Sequence, residues 1–124
     1  MTGQLIAIVD DEMGTVTMLS TFLRLKGFEV RSALSGSAGL DLVRTERPAA
    51  LLLDYMLPDI NGFEVCKQLR ADPEFKSLPI VIISAHSGTT NAALALEAGA
   101  NLYLSKPLRL PDLLATLQDL LGGA

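Results

Sequence analysis

The residue pattern of this chain predicts an α/β architecture in which a parallel five-stranded sheet is covered by helices on both faces. Three observations lead there. Five short apolar runs recur along the 124 residues, each followed by a stretch with helical periodicity. Four of those runs are apolar almost throughout, which is how strands buried on both faces read. No repeat, linker or low-complexity segment interrupts the alternation.

The first run, residues 5–9, is followed by Val16, Leu19, Phe22 and Leu23 on one helical face, with Gly27 as a natural stop. In the second run, residues 28–33, Glu29 and Arg31 alternate with Val30 and Ala33, so it reads as an edge strand. Ser35 can cap a second helix carrying Ala38, Leu42 and Val43, which halts before Pro48. The third run, residues 50–53, precedes a helix from about Gly62 to Ala71 with Phe63, Cys66 and Leu69 inward. The fourth, residues 79–83, precedes an Ala-rich helix from about Thr89 to Ala98 that ends at Gly99. The fifth, residues 102–104, leads into Leu110, Leu113, Leu114, Leu117, Leu120 and Leu121, a period near 3.6. Strict alternation of this kind implies right-handed crossovers and a doubly wound sheet. Five units in this length match the flavodoxin-like (βα)5 three-layer sandwich, with strand order 2-1-3-4-5. One domain over residues 1–124 is expected, ordered from about 4 to 121, with Gly122-Gly123-Ala124 as a frayed tail or the start of a linker.

Composition narrows the function. At 49% hydrophobic and 19% charged, the chain is no disordered acidic tail. A net charge of −4 without a block of Lys or Arg gives no electrostatic footprint for nucleic acid. One cysteine, Cys66, and one histidine, His86, cannot make an internal disulfide or a zinc site. That usage suits a reducing cytoplasm. The start of the chain does not read as a signal peptide, and apolar stretches such as residues 78–83 are too short to span a bilayer, so no membrane partner is expected.

In an open α/β sheet, ligands bind beyond the carboxyl ends of the strands. Asp10, Asp11 and Glu12 follow the first strand, Asp54 the third, Ser84 the fourth, and Ser105-Lys106-Pro107 the fifth. Carboxylates gathered on one rim repel by roughly 3 kcal/mol per pair at about 5 Å and an effective dielectric of about 20. A lysine or a hard divalent cation can offset this, and Mg²⁺ accepts carboxylate oxygens, water and a phosphate oxygen. A metal and Lys106 around one carboxylate supply the positioning and charge neutralisation that phosphoryl transfer needs. Taken singly, each residue has a plainer reading. A carboxylate at a strand end is usually a cap, Ser84 a turn former and Lys106 a solvated lysine. Their joint appearance after four strands favours function.

These residues resemble the receiver domain of two-component response regulators over essentially the whole chain. The marks are Ile8-Val9-Asp10-Asp11-Glu12, then Asp54-Tyr55-Met56-Leu57-Pro58-Asp59-Ile60-Asn61-Gly62, then Ile83-Ser84-Ala85, then Gly99 to Pro107. The resemblance implies a signalling switch rather than an enzyme, in which Asp54 accepts a phosphoryl group from a sensor histidine kinase or phosphotransfer protein. It implies Mg²⁺ (or Mn²⁺) held by Asp11, Asp54 and the backbone carbonyl of Met56, with Asp10 acting through water. Lys106 would pair with the phosphate, Ser84 would hydrogen-bond it, and Tyr103 would turn as Ser84 moves. The Lys106–Pro107 bond is expected to be cis. The output would be a changed surface over the fourth helix, fifth strand and fifth helix, read by a downstream protein, a fused output domain or a phosphorylation-induced homodimer.

Some positions stay open. Met56 and His86 stand where similar domains tune the lifetime of the phosphoryl group. A phosphohistidine role for His86 is disfavoured, since a lone histidine at a strand end is most often a surface residue. Cys66 is expected in packing, and the Ala- and Leu-rich run over residues 92–96 fits partner surface and helix core equally. Asp59 and Asn61 are expected to shape the loop after Asp54, with Gly62 supplying unusual backbone freedom. A flavin- or nucleotide-binding module would place a Gly/Ser/Thr-rich turn where Asp10-Asp11-Glu12 stands. A phosphatase would want a second acid where Met56 stands. A phosphorylation-independent interaction module of the same fold is the remaining alternative.

Overall fold

The computed structural model describes residues 3–85 and 89–122, with the side chains of residues 89 and 90 left aside. Its elements alternate as β1 (Leu5–Val9), α1 (Met13–Leu25), β2 (Glu29–Ala33), α2 (Gly36–Glu46), β3 (Ala50–Asp54), α3 (Gly62–Ala71), β4 (Ile80–Ser84), α4 (Thr89–Glu97), β5 (Leu102–Ser105) and α5 (Leu110–Leu120), with one 3₁₀ turn at Pro73–Phe75 after α3. All strand pairings are parallel and the order is β2-β1-β3-β4-β5. This is the doubly wound sheet read from the sequence.

Because side chains alternate across a strand, each central strand feeds two cores. Ala7, Val9, Leu51, Leu53, Ile80 and Ile82 face α2, α3 and α4, whose Leu40, Val43, Val65, Cys66, Leu69 and Ala95, with Ala98 just after α4, close that side. Ile6, Ile8, Ala50, Leu52, Val81 and Ile83 face α1 and α5, with Val16, Leu19, Leu23, Leu113 and Leu117. Burying one such Leu or Ile side chain stabilises the fold by about 1.5–3 kcal/mol. These strands are therefore the rigid floor on which the loops at their carboxyl ends rest.

Three expectations need correction. The fifth run does not read true as a strand buried on both faces: β5 is the second edge of the sheet, Tyr103 and Leu104 are only half-buried, and Leu102 and Ser105 are exposed. On α2 the buried stripe is Gly36, Gly39, Leu40 and Val43, while Ala38 faces solvent and Leu42 is half-buried. Helix and sheet approach so closely there that a Cβ on Gly39 would lie 2.8 Å from both methyls of Val9. Gly62 is not in the left-handed region. Its need is space, since a Cβ would meet the Asp54 carbonyl oxygen at 2.6 Å and Tyr55 Cα at 3.0 Å. Ser35 does cap α2, its side chain accepting from Ala38 N at 3.1 Å. Among the described residues no helix is long and apolar enough to cross a membrane.

Candidate functional site

Three carboxylates meet at the carboxyl edge of the sheet. In the β1–β3 ladder Val9 lies opposite Leu53, so Asp10 and Asp54, each one residue further on, emerge side by side. Both are buried, whereas Asp11 is exposed. One oxygen from each of Asp10, Asp11 and Asp54 lies within 4.8 Å of the others. The backbone on both sides fixes them. Asp10 N donates to Ala33 O at 3.1 Å, and Asp10 Oδ1 accepts from Glu12 N at 2.9 Å. Asp54 Oδ1 faces the Met56 amide at 3.4 Å.

Among the described residues one ammonium faces the acids, and it arrives from late in the chain. Lys106 Nζ lies 3.2 Å from Asp10 Oδ2 and 3.6 Å from Asp54 Oδ2. Its backbone is held by Lys106 N donating to Ser84 O at 2.8 Å, and the Lys106–Pro107 peptide is cis. Ser84 closes β4 and is fully buried. Tyr103 pairs in register with Ile82 and rests half-buried against the core on the α2–α3–α4 side. The Met56 side chain is more than half exposed beside the acids. His86 lies outside the described residues.

Charge crowding leaves its mark on the ionisable groups. Burial, and next the Asp10 carboxylate, push the Asp54 carboxyl from 3.8 up to about 6, against the opposing pull of Lys106 and the Met56 amide. Burial alone would lower the Lys106 ammonium, but Asp54 and Asp10 outweigh it and hold the group above its ordinary value. Burial raises the Cys66 thiol, which sits fully enclosed in the core as a packing group.

The loop between β3 and α3 is fastened at both ends. At its base Gly62 N donates to Tyr55 O at 2.9 Å, and Asn61 caps α3 by accepting from Glu64 N at 3.0 Å. At its tip Asp59 reaches across to the start of α2. Asp59 Oδ1 accepts from Gly36 N at 2.7 Å and Ile60 N at 2.8 Å, and Oδ2 accepts from Ser37 N at 2.9 Å and from the Ser37 hydroxyl. The Ser37 hydroxyl and amide, together with the Ile60 and Gly36 amides, keep the Asp59 carboxyl well below the usual carboxylate range. Sequence reasoning assigned Asp59 to the loop but missed its partners, which lie 22 and 23 residues away. It also missed a cleft of about 410 Å³ beside Lys106, lined by Thr15, Met18, Pro107 and Leu108. Nothing in the local pattern of those residues announces it.

Among the described residues the donor set fits a hard divalent cation: three convergent carboxylates offering oxygen, with no Cys or His joining them. Mutual repulsion of roughly 3 kcal/mol per pair, only partly offset by one ammonium, favours such an ion.

Comparison with known proteins places this geometry. The family profile of the response regulator receiver domain matches residues 6–118. Response regulator MprA of Mycolicibacterium vanbaalenii is 39% identical over 116 residues, covering 94% of this chain and 49% of that protein. The chain thus spans about half the length of the curated relatives it matches. Among solved structures, a protein of Chloroflexus aurantiacus superposes with a TM-score of 0.92 at 36% identity, covering 98% of this chain and 99% of that one. The BeF3-activated N-terminal receiver domain of Klebsiella pneumoniae RstA superposes with a TM-score of 0.89 at 30% identity, covering 95% and 98%. With the fold, the acid cluster and the matched length in agreement, this chain belongs to the response regulator receiver domain family of two-component signalling.

Proposed function

We propose that Asp54 is the phosphoacceptor of a Mg²⁺-dependent switch charged by a phosphohistidine on a sensor kinase or phosphotransfer protein. The observation that carries this reading is the convergence of Asp10, Asp11 and Asp54 within 4.8 Å beside the Lys106 ammonium. An Asp54 oxygen forms the new O–P bond as the donor's N–P bond breaks, and the released imidazole keeps the electron pair and takes a proton from solvent. Asp54 would enter this step ionised, which above about pH 6 it is even without metal.

Asp11, Asp54 and the Met56 carbonyl would hold Mg²⁺, with Asp10 through water. When bound, the ion supplies positive charge that neutralises the transferring phosphoryl oxygens. Lys106 sits 3.6 Å from Asp54 Oδ2, within reach of an oxygen on the phosphoryl group. Ser84, at the end of the neighbouring strand, would donate its hydroxyl to another. Drawing Ser84 inward would free space for Tyr103 to turn, changing the α4–β5–α5 surface. A downstream protein, a fused output domain or a second copy would read that change.

The test is incubation with acetyl phosphate, with and without Mg²⁺, followed at once by intact mass, with Asp54→Asn alongside. One phosphoryl adduct requiring both Mg²⁺ and Asp54 is expected. If no adduct forms and the phosphate mimic beryllofluoride, tried next, also fails to bind while Mg²⁺ still does, the chain is instead a phosphorylation-independent interaction module.

A further inference from the structure

We infer that Asp59 is a positioning residue for the metal site: it holds the Met56 backbone in place by tying the tip of the β3–α3 loop to the start of α2. The inference rests on the Mg²⁺ reading above. Residues 55–62 leave β3 at the acid cluster and return to it, since Gly62 N bonds Tyr55 O at 2.9 Å. That bond closes the base of the loop and leaves its far side to be held by something else. Asp59 does this with both carboxylate oxygens, which take three bonds from Gly36 N, Ser37 N and the Ser37 hydroxyl. Met56 lies between the two fastenings.

The anchor is well chosen, because the start of α2 is itself fixed to the other half of the site. Gly39 of α2 rests on Val9 with no room for a Cβ, and Val9 precedes Asp10. Just before α2, Ala33 O accepts from Asp10 N at 3.1 Å. The fit at the contact is tight as well. A Cβ on Gly36 would come within 2.4 Å of Ile60 Cγ1 and 2.9 Å of Ile60 O. Asp10 on β1 and the loop after Asp54 on β3 therefore share one reference body. Mg²⁺ demands near-octahedral geometry at short distances, so its affinity is sensitive to small displacements of a ligand. Groups that orient ligands from one shell out typically contribute 10–100-fold in metal affinity.

The test measures Mg²⁺ binding by calorimetry on the metal-free protein, with folding monitored by urea unfolding. Asp59→Ala is expected to weaken Mg²⁺ about tenfold, at the lower end of that range. Asp59→Asn keeps one oxygen acceptor for the Gly36 and Ile60 amides and should lose only about threefold. Ser37→Ala removes a donor from the opposite side and should lose about twofold, with the Asp59→Ala/Ser37→Ala double variant no weaker than Asp59→Ala alone. Asp72→Ala removes a comparable cap far from the site, where Asp72 accepts from Glu74 N at 3.0 Å, and should leave Mg²⁺ affinity unchanged. Wild-type affinity in Asp59→Ala would overturn the inference. So would equal losses in Asn and Ala, which would make the effect one of charge alone. Should Asp59→Ala not fold, unchanged affinity in both Asp59→Asn and Ser37→Ala would overturn it. A wild-type protein that binds no Mg²⁺ would instead remove the metal reading itself.

Discussion

Lys106 Nζ donates to Asp10 Oδ2 at 3.2 Å, joining positions 96 residues apart across the carboxyl edge of the sheet. In the unphosphorylated protein the ammonium is thus engaged with Asp10 while remaining close to Asp54. Lys106→Ala would leave three carboxylates together without a cation. We expect metal-free Lys106→Ala to lose about 1–2 kcal/mol at pH 7.5, less than a fully buried pair because the lysine is partly solvated. Saturating Mg²⁺ should recover most of that loss. Urea unfolding with and without the ion checks this. An undiminished loss in Mg²⁺ would assign the effect to packing.

The raised Asp54 carboxyl makes stability depend on pH. Its value of about 6 in the fold, against 3.8 ordinarily, means that the native state holds this proton more tightly than the unfolded chain. The contribution is fully present below 3.8, where both states are protonated, and is lost as pH rises from there through about 6. Asp54→Asn should therefore match the metal-free wild type near pH 4 and exceed it by about 2 kcal/mol at pH 7.5. Comparing the two proteins cancels the carboxylates that do not interact with Asp54, while Asp10, which does, remains part of the difference. A difference constant across that window would mean that Asp54 does not titrate as described.

Gly62→Ala places a methyl against backbone atoms of Asp54 and Tyr55, none of which can swing aside. We expect a loss of about 2–3 kcal/mol, the size seen when a close-packed site is overfilled. Mg²⁺ affinity should fall with it, since Asp54 lies at the point of contact. Urea unfolding with an unchanged m-value would identify the loss as one of native stability.

Met56 is more than half exposed two residues after Asp54, and its thioether cannot orient an attacking water. Met56→Asn supplies an amide at the same place, and the autodephosphorylation rate should change more than about threefold, roughly 0.7 kcal/mol in barrier. Decay of the phosphorylated mass after removal of the donor gives the rate. A change under about twofold would indicate that the side chain at this position does not reach the reacting water.

Much of this was legible because two-sided burial imposes long apolar runs on β1, β3 and β4, and because the site lies where such strands end. Asp10, Asp54, Ser84 and Lys106 all stand immediately after or at the end of a strand. What escaped depended on contacts distant in sequence or on atoms that are absent. Leu102, Tyr103 and Leu104 are as apolar as a central strand, so their composition hides the open side that the expected strand order already implied for β5. Gly36 and Gly39 carry no hydrophobic signal, so the face α2 turns inward could not be phased from its larger side chains. Arg70 gave no cue either, yet its guanidinium bonds Gly99 O at 2.8 Å, Phe75 O at 2.7 Å and the Asn101 side chain at 3.0 Å, joining α3 to the turn before β5.

The Lys106–Asp10 contact also orders events during synthesis. The acids come from β1 and β3 and have all left the ribosome's catalytic centre by residue 54, while their counter-charge follows about fifty positions later. A chain that ends before residue 106 holds all three acids but lacks the ammonium that faces them in the complete fold. Nascent chains that stop short of residue 106 should accordingly be more responsive to magnesium in the translation buffer than the finished protein.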